Sequence, residues 1–147
     1  MANIRGCDLP DTLYYFLDGH TWAKPLGNGL LRVGLTAVAR ALTGGRVASL
    51  AVLANKIGRV VAQGEPIAEL TGGRHPGPVP APASGVLVLT NARLATDPSL
   101  VVADPYGEGW LAEIDPTRWE AERAGLANGP EGMAAYRARL EAEGISC

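Results

Sequence analysis

Apart from its 15 carboxylates, this 147-residue sequence is sparing with the side chains most often used as nucleophiles and metal ligands. There are two lysines, Lys24 and Lys56, two histidines, His20 and His75, and two cysteines, Cys7 and Cys147. No Ser/His/Asp set, glycine-rich phosphate cradle or paired metal-ligand spacing is legible, so an enzyme active site is not expected. The most distinctive stretch runs from Gly64 to Gly85 and reads GEPIAELTGGRHPGPVPAPASG. At its centre stand Arg74 and His75, a cationic tip suited to an anionic partner. Gly72-Gly73 makes the approach to the pair flexible, and the prolines that follow make the exit stiff. The guanidinium of Arg74 stays protonated and is a poor nucleophile.

The cysteines stand near opposite ends of the sequence and are too far apart to be a metal-ligand cluster. The default reading is two unrelated reduced thiols. The alternative is a redox pair or disulfide. Such a link closes almost the whole chain, and loop-closure theory makes it worth about 4–5 kcal/mol. Spacing alone does not say whether the sulfurs meet.

The elements that would position these groups are short strands. The sequence holds 19 glycines and 11 prolines, which suits many tight turns better than a helical bundle. Runs at Thr21–Ala23, Leu30–Leu35, Val47–Val52, Arg59–Val61, Pro66–Leu70 and Val86–Thr90 are bounded by turn signals. Thr36 can cap a short helix over Ala37–Leu42. Asp11–Leu17 reads as a lead-in strand or helical turn. The fold class is mainly β: a flattened barrel or sandwich of two small antiparallel sheets, with helices at the C-terminal end. After Pro116 the composition turns helical. Residues 116–123 and 131–144 read as two helices, the second with Met133, Tyr136 and Leu140 on one stripe that clamps onto the sheets.

The length suits one domain over 1–147, with a core at 17–116 and a helical segment at 117–147. A formal net charge of −2 offers no basic stripe, so nucleic acid is not an expected partner. No segment is apolar enough to span a bilayer and the first residues lack a signal-peptide run, so no membrane association and a cytoplasmic location are expected.

Several motifs occur in an order that resembles one family. They are His20-Thr21-Trp22, Val33–Ala39, Ala81-Pro82-Ala83-Ser84-Gly85-Val86-Leu87, Asn91–Leu94, Asp97-Pro98, and Asp104-Pro105-Tyr106-Gly107-Glu108-Gly109-Trp110-Leu111. Together they resemble the H protein of the glycine cleavage system over roughly Leu17–Pro116. The resemblance implies the lipoyl/biotinyl carrier fold, with lipoate borne by a lysine at a hairpin tip. Arg74 occupies that lysine's place. Thr71 stands where a glutamate is usual, and Thr21 replaces the glutamate of the family's His-Glu-Trp. In glycine-cleaving members that acid is implicated in holding the aminomethyl group of the loaded arm. His20 is expected to be structural. Pro105, Gly107 and Gly109 are expected to shape a tight connection, with Trp110 in the core of the last strand. Tyr106 and Glu108 are the exposed candidates for partner contact.

The resulting expectation is a non-catalytic, H-protein-like protein with no lipoate of its own. It would dock to, scaffold or regulate protein partners of a lipoyl pathway through Arg74, His75, Tyr106 and Glu108. Those partners would be of the glycine-cleavage or sulfur-oxidation type, or the lipoylation machinery. One alternative is a true lipoate carrier of glycine cleavage or of a lipoate-dependent sulfur-oxidation complex, if Arg74 is a variant of lysine. The other is a thiol-based redox module using Cys7 and Cys147.

Overall fold

The computed structural model describes residues 2–71 and 77–147. Its first element is a hairpin that the sequence reading does not anticipate. Strands β1 (Ala2–Ile4) and β2 (Cys7–Leu9) pair antiparallel as a sheet of their own. Arg5 and Gly6 link them with φ of 52° and 87°. Two successive positive φ values give the turn that matches strand twist in a two-residue hairpin.

Nine further strands follow: β3 (Tyr14–Phe16), β4 (Thr21–Pro25), β5 (Leu31–Leu35), β6 (Ser49–Val52), β7 (Val60–Val61), β8 (Pro66–Thr71), β9 (Gly77–Pro80), β10 (Gly85–Thr90) and β11 (Ala112–Pro116). One sheet has the order β3-β4-β5-β11-β10-β7 and the other β6-β8-β9. All their pairings are antiparallel, as the short-strand spacing implies. Among the described residues there are also four α-helices, α1 (Val38–Thr43), α2 (Leu100–Ala103), α3 (Trp119–Glu122) and α4 (Gly129–Glu143), and three short 3-10 turns.

Strand alternation feeds two separate cores. On β4, Ala23 enters a buried cluster that draws on both larger sheets, with Leu31, Val33, Leu70, Val79 and Leu87. Its neighbour Trp22 points the other way, into a cluster formed by the β1–β2 hairpin and α4. There Met133, Tyr136 and Leu140 are buried, as their stripe implies. Gly34 pairs with Trp22 across the strands. A Cβ at Gly34 would lie 2.6 Å from the indole ring, so glycine makes room for the tryptophan. The indole N–H donates to the Leu35 carbonyl at 2.9 Å and to the Pro105 carbonyl at 3.1 Å.

Element ends differ modestly from the sequence reading. α1 starts one residue later than expected. Thr36 Oγ1 still accepts from the Val38 amide at 3.3 Å, and left-handed Gly44 closes the helix. The helix expected over 116–123 starts later, because Pro116 still belongs to β11, and is the single turn of α3 continued by a 3-10 turn, Arg123–Gly125. α4 begins at Gly129, with Pro130 tolerated in its first turn. Trp110 is not in the last strand. It precedes β11, half-buried, with the Arg32 guanidinium 4.8 Å from its ring centroid.

Candidate functional site: a cleft beneath the β8–β9 hairpin

β8 and β9 lead toward the tip, and Leu70↔Gly77 is the last described pair. Residues 72–76, including Arg74 and His75, lie outside the described residues. Thr71 is exposed at the end of β8.

Below the hairpin is a cleft of about 330 Å³. Leu70, Val79 and Pro80 line it from the hairpin, and Ala39 and Leu42 line it from α1. Asp18-Gly19-His20 forms another wall. The cleft is thus mostly apolar, with a carboxylate and an imidazole on one side.

That polar wall is held by α4. His20 has φ of 53°, unusual for a residue with a Cβ. Its Nδ1 lies 2.9 Å from the Tyr136 hydroxyl, and its Nε2 lies 3.3 Å from Glu143 Oε2. The imidazole also stacks on the Tyr136 ring, with centroids 5.7 Å apart. The same hydroxyl is 3.0 Å from Thr36 Oγ1. Asp18 accepts from Arg139 at 2.9 Å. Burial pushes the Tyr136 phenol well above its ordinary range, and the Thr36 hydrogen bond opposes this only in part. It therefore keeps its proton in the folded protein. His20 has the structural position expected of it, with its side chain tied into α4. Arg139 and Glu143 carry no sequence signal for this role. They stand more than a hundred residues away along the chain, and only the fold brings them to the wall.

Thr21 is fully buried and is not among the residues that line the cleft. Its Oγ1 is the one buried side-chain polar atom without a hydrogen-bond partner among the described residues.

Both lysines lie elsewhere. Lys24 is exposed near the end of β4, opposite Arg32. Lys56 sits in a short 3-10 turn, Ala54–Lys56. Its Nζ donates to Glu65 Oε2 at 3.1 Å and to the Pro66 carbonyl at 2.6 Å. The Lys56 hydrogen bond, helped by the Ala62 amide, holds the Glu65 carboxyl below its usual range.

The Asp104–Trp110 segment is a tight connection, as expected. Asp104 Oδ2 accepts from the Glu108 amide at 2.9 Å, and a Cβ on Gly109 would collide with the Leu100 carbonyl. Asn91 Nδ2 donates to the Glu108 and Trp110 carbonyls, each at 2.8 Å. Glu108 is exposed and ion-paired with Arg93. Tyr106 corrects the expectation of an exposed side chain. It is half-buried, donates its hydroxyl to the Asp8 carbonyl at 2.7 Å and accepts from the Ala37 amide at 2.9 Å. Burial, opposed by that amide, raises its phenol.

The cysteines also correct the default reading. Cys7 and Cys147 form a disulfide, with Cα atoms 4.9 Å apart. The chain path is the reason. Residues 145–147 run beside the β1–β2 turn, where the Cys147 amide donates to the Arg5 carbonyl at 2.9 Å. Arg5 Nε donates to the Ile145 carbonyl at 2.6 Å. Among the described residues, no three His, Cys, Asp or Glu side chains gather as a possible metal site. No described helix is long and apolar enough to cross a membrane.

Known proteins are similar to this chain in sequence and in fold. The family described as "Glycine cleavage H-protein" matches residues 13–137. Glycine cleavage system H protein 2 of Aquifex aeolicus is 34% identical over 147 residues, covering 100% of this chain and 89% of that protein. The glycine cleavage system H protein of Mycolicibacterium vanbaalenii is 35% identical over 121 residues, covering 82% and 88%. The crystal structure of a glycine cleavage system H protein from Mycobacterium marinum superposes with a TM-score of 0.65 at 32% identity, over 74% of this chain and 87% of that one. With a family match across most of its length and a relative 34% identical over the whole of this chain, the chain belongs to the glycine cleavage H-protein family.

Proposed function

We propose that this protein is an H-protein-like docking or scaffolding protein that carries no lipoate itself. The observation that carries the reading is the position of its amines. Lipoate attachment needs a lysine ε-nitrogen. The place of the family lysine is taken by Arg74, whose guanidinium is no nucleophile. Lys24 lies on β4, outside the hairpin, and Lys56 is engaged by Glu65 and Pro66. Neither residue fits the attachment. The loss of the acid at Thr21 points the same way, since a buried threonine offers no charge to an amine in the cleft.

The partners are proteins of a lipoyl pathway, of the glycine-cleavage type that the names of the relatives carry, or of a sulfur-oxidation type, or the lipoylation machinery. The protein does no chemistry of its own on them and acts in the cytoplasm. The contact residues are Arg74 and His75 and the exposed Glu108, with half-buried Tyr106 less available than Glu108. Calorimetric titration of the unmodified protein against purified glycine-cleavage partner enzymes tests this. Binding that weakens when Arg74 and His75 are both replaced by alanine supports the reading. Absence of binding to every partner, or binding indifferent to the double replacement, refutes it.

A further inference from the structure

The disulfide joins two very different environments. Cys7 is fully buried on β2. Cys147 is exposed, in an irregular segment beyond the left-handed Gly144 that closes α4. Besides the sulfur bond, residues 145–147 are held by the Arg5–Ile145 and Cys147–Arg5 hydrogen bonds. The Ile145 amide also donates to the Leu140 carbonyl at 2.9 Å, and Ile145 packs on the hairpin–α4 cluster. All of these contacts remain when the sulfurs part. α4 is anchored separately, through buried Met133, Tyr136 and Leu140. Opening the bond therefore breaks no strand ladder and lifts no helix. The Arg5–Gly6 turn is shaped for this approach. Gly6 is left-handed, and a Cβ there would lie 2.5 Å from the Cys147 carbonyl oxygen. The reduced state also has a place to go, because the Cys147 sulfur lies 3.7 Å from the Ala37 carbonyl, an acceptor for its S–H.

We propose that Cys7–Cys147 is a reversible thiol–disulfide exchange site whose substrate class is a vicinal dithiol. Exchange proceeds by thiolate attack, and access selects the sulfur attacked. Only Cys147 is accessible, so the incoming thiolate bonds to its sulfur and Cys7 leaves. With a monothiol the reaction stalls at this mixed disulfide. Cys7 remains beside it, on a rigid strand, and re-forms the original bond by expelling the monothiol. A dithiol carries its own second sulfur, which attacks the sulfur that came in first and releases Cys147. Two electrons pass from the dithiol to the protein. The dithiol becomes a disulfide, and its two protons end on Cys7 and Cys147. No further oxidant or reductant is needed.

The test uses the oxidised full chain at 25 °C without denaturant. It is equilibrated with dihydrolipoamide and lipoamide at ratios from about 1:100 to 100:1, a window of about 120 mV on the two-electron scale. Free thiols are trapped with N-ethylmaleimide and counted by intact mass, with circular dichroism recorded in parallel. The expected result is a midpoint inside the window, two alkylations on the reduced side, an unchanged sheet spectrum, and full return on adding lipoamide. Glutathione at the same total thiol concentration should give at least tenfold less doubly alkylated protein. Resistance to the dithiol until denaturant is added would overturn the proposal, as would loss of the sheet spectrum on reduction. Either outcome makes the bond a structural staple. Cys147→Ser supplies an independent check. Its Cys7 should resist alkylation in the native state, and rapid alkylation would overturn the assigned order of attack. The proposal does not rest on the docking reading, and the failure of one leaves the other standing.

Discussion

Replacing Tyr136 by phenylalanine removes one oxygen from the place where α4 meets the cleft wall. The ring should stay, held edge-on to Tyr15 with centroids 5.4 Å apart and stacked on His20. What goes is the hydroxyl between His20 Nδ1 and Thr36 Oγ1. Thr36 keeps its bond from the Val38 amide, so the larger loss falls on the buried imidazole nitrogen. A buried polar group deprived of its partner costs about 1–3 kcal/mol, which puts this change near about 2 kcal/mol. For a chain of this size that corresponds to a drop in Tm of about 4–8 °C. Urea titration followed by circular dichroism should show a lower midpoint with the slope unchanged, since the area exposed on unfolding is the same. A double-mutant cycle with Thr36→Val should return a coupling of about 0.5–1.5 kcal/mol. A change within about 0.5 kcal/mol, the ordinary range for a surface substitution, would refute the claim that this hydroxyl holds the wall.

Gly34→Ala drives a methyl group into the Trp22 ring and should cost about 1–3 kcal/mol through overpacking, read as a lowered urea midpoint. Tyr15, Tyr106 and Tyr136 all have phenols raised chiefly by burial, so the folded protein holds protons that the unfolded chain releases near about pH 10. Their contribution is complete below that pH and is lost above it, by at most about 1.4 kcal/mol per pH unit for each tyrosine. Urea midpoints measured between about pH 8 and pH 11 should be level at first and then fall. Arg74→Lys should restore lipoylation only weakly, because Thr71 and Gly72-Gly73 still depart from the usual target; complete modification seen by intact mass would show that these flanks do not matter.

A mainly β fold of antiparallel sheets was legible because glycine and proline mark nearly every turn and because the family motifs come in order. Strand β9 (Gly77–Pro80) was not, since two of its four residues are prolines and read as a stiff exit. Nor was hairpin β1–β2. Its turn places Arg5, a residue with a Cβ, at positive φ, and its strands are three residues each. The tie between the cleft wall and α4 was hidden for another reason. His20–Tyr136 and Asp18–Arg139 join residues 116 and 121 positions apart, and a polar residue on a helix surface looks solvated until the fold supplies its partner. The disulfide shares that difficulty at a separation of 140. Trp110 was misplaced because an aromatic beside a strand reads as core, whereas here Arg32 covers its ring, held in turn by Glu113 at 2.8 Å. Tyr106 read as exposed because its two hydrogen-bond partners, Asp8 and Ala37, lie in distant segments.

The absence of a lipoyl arm is tested most directly by intact mass. The unaltered protein is incubated with lipoate, ATP and a lipoate ligase, next to an H protein that carries the family lysine. The control should gain one lipoyl group, while this chain, with arginine at position 74 and Lys56 tied to Glu65 and Pro66, should keep its mass. A lipoyl mass increment on the unaltered chain would contradict the account.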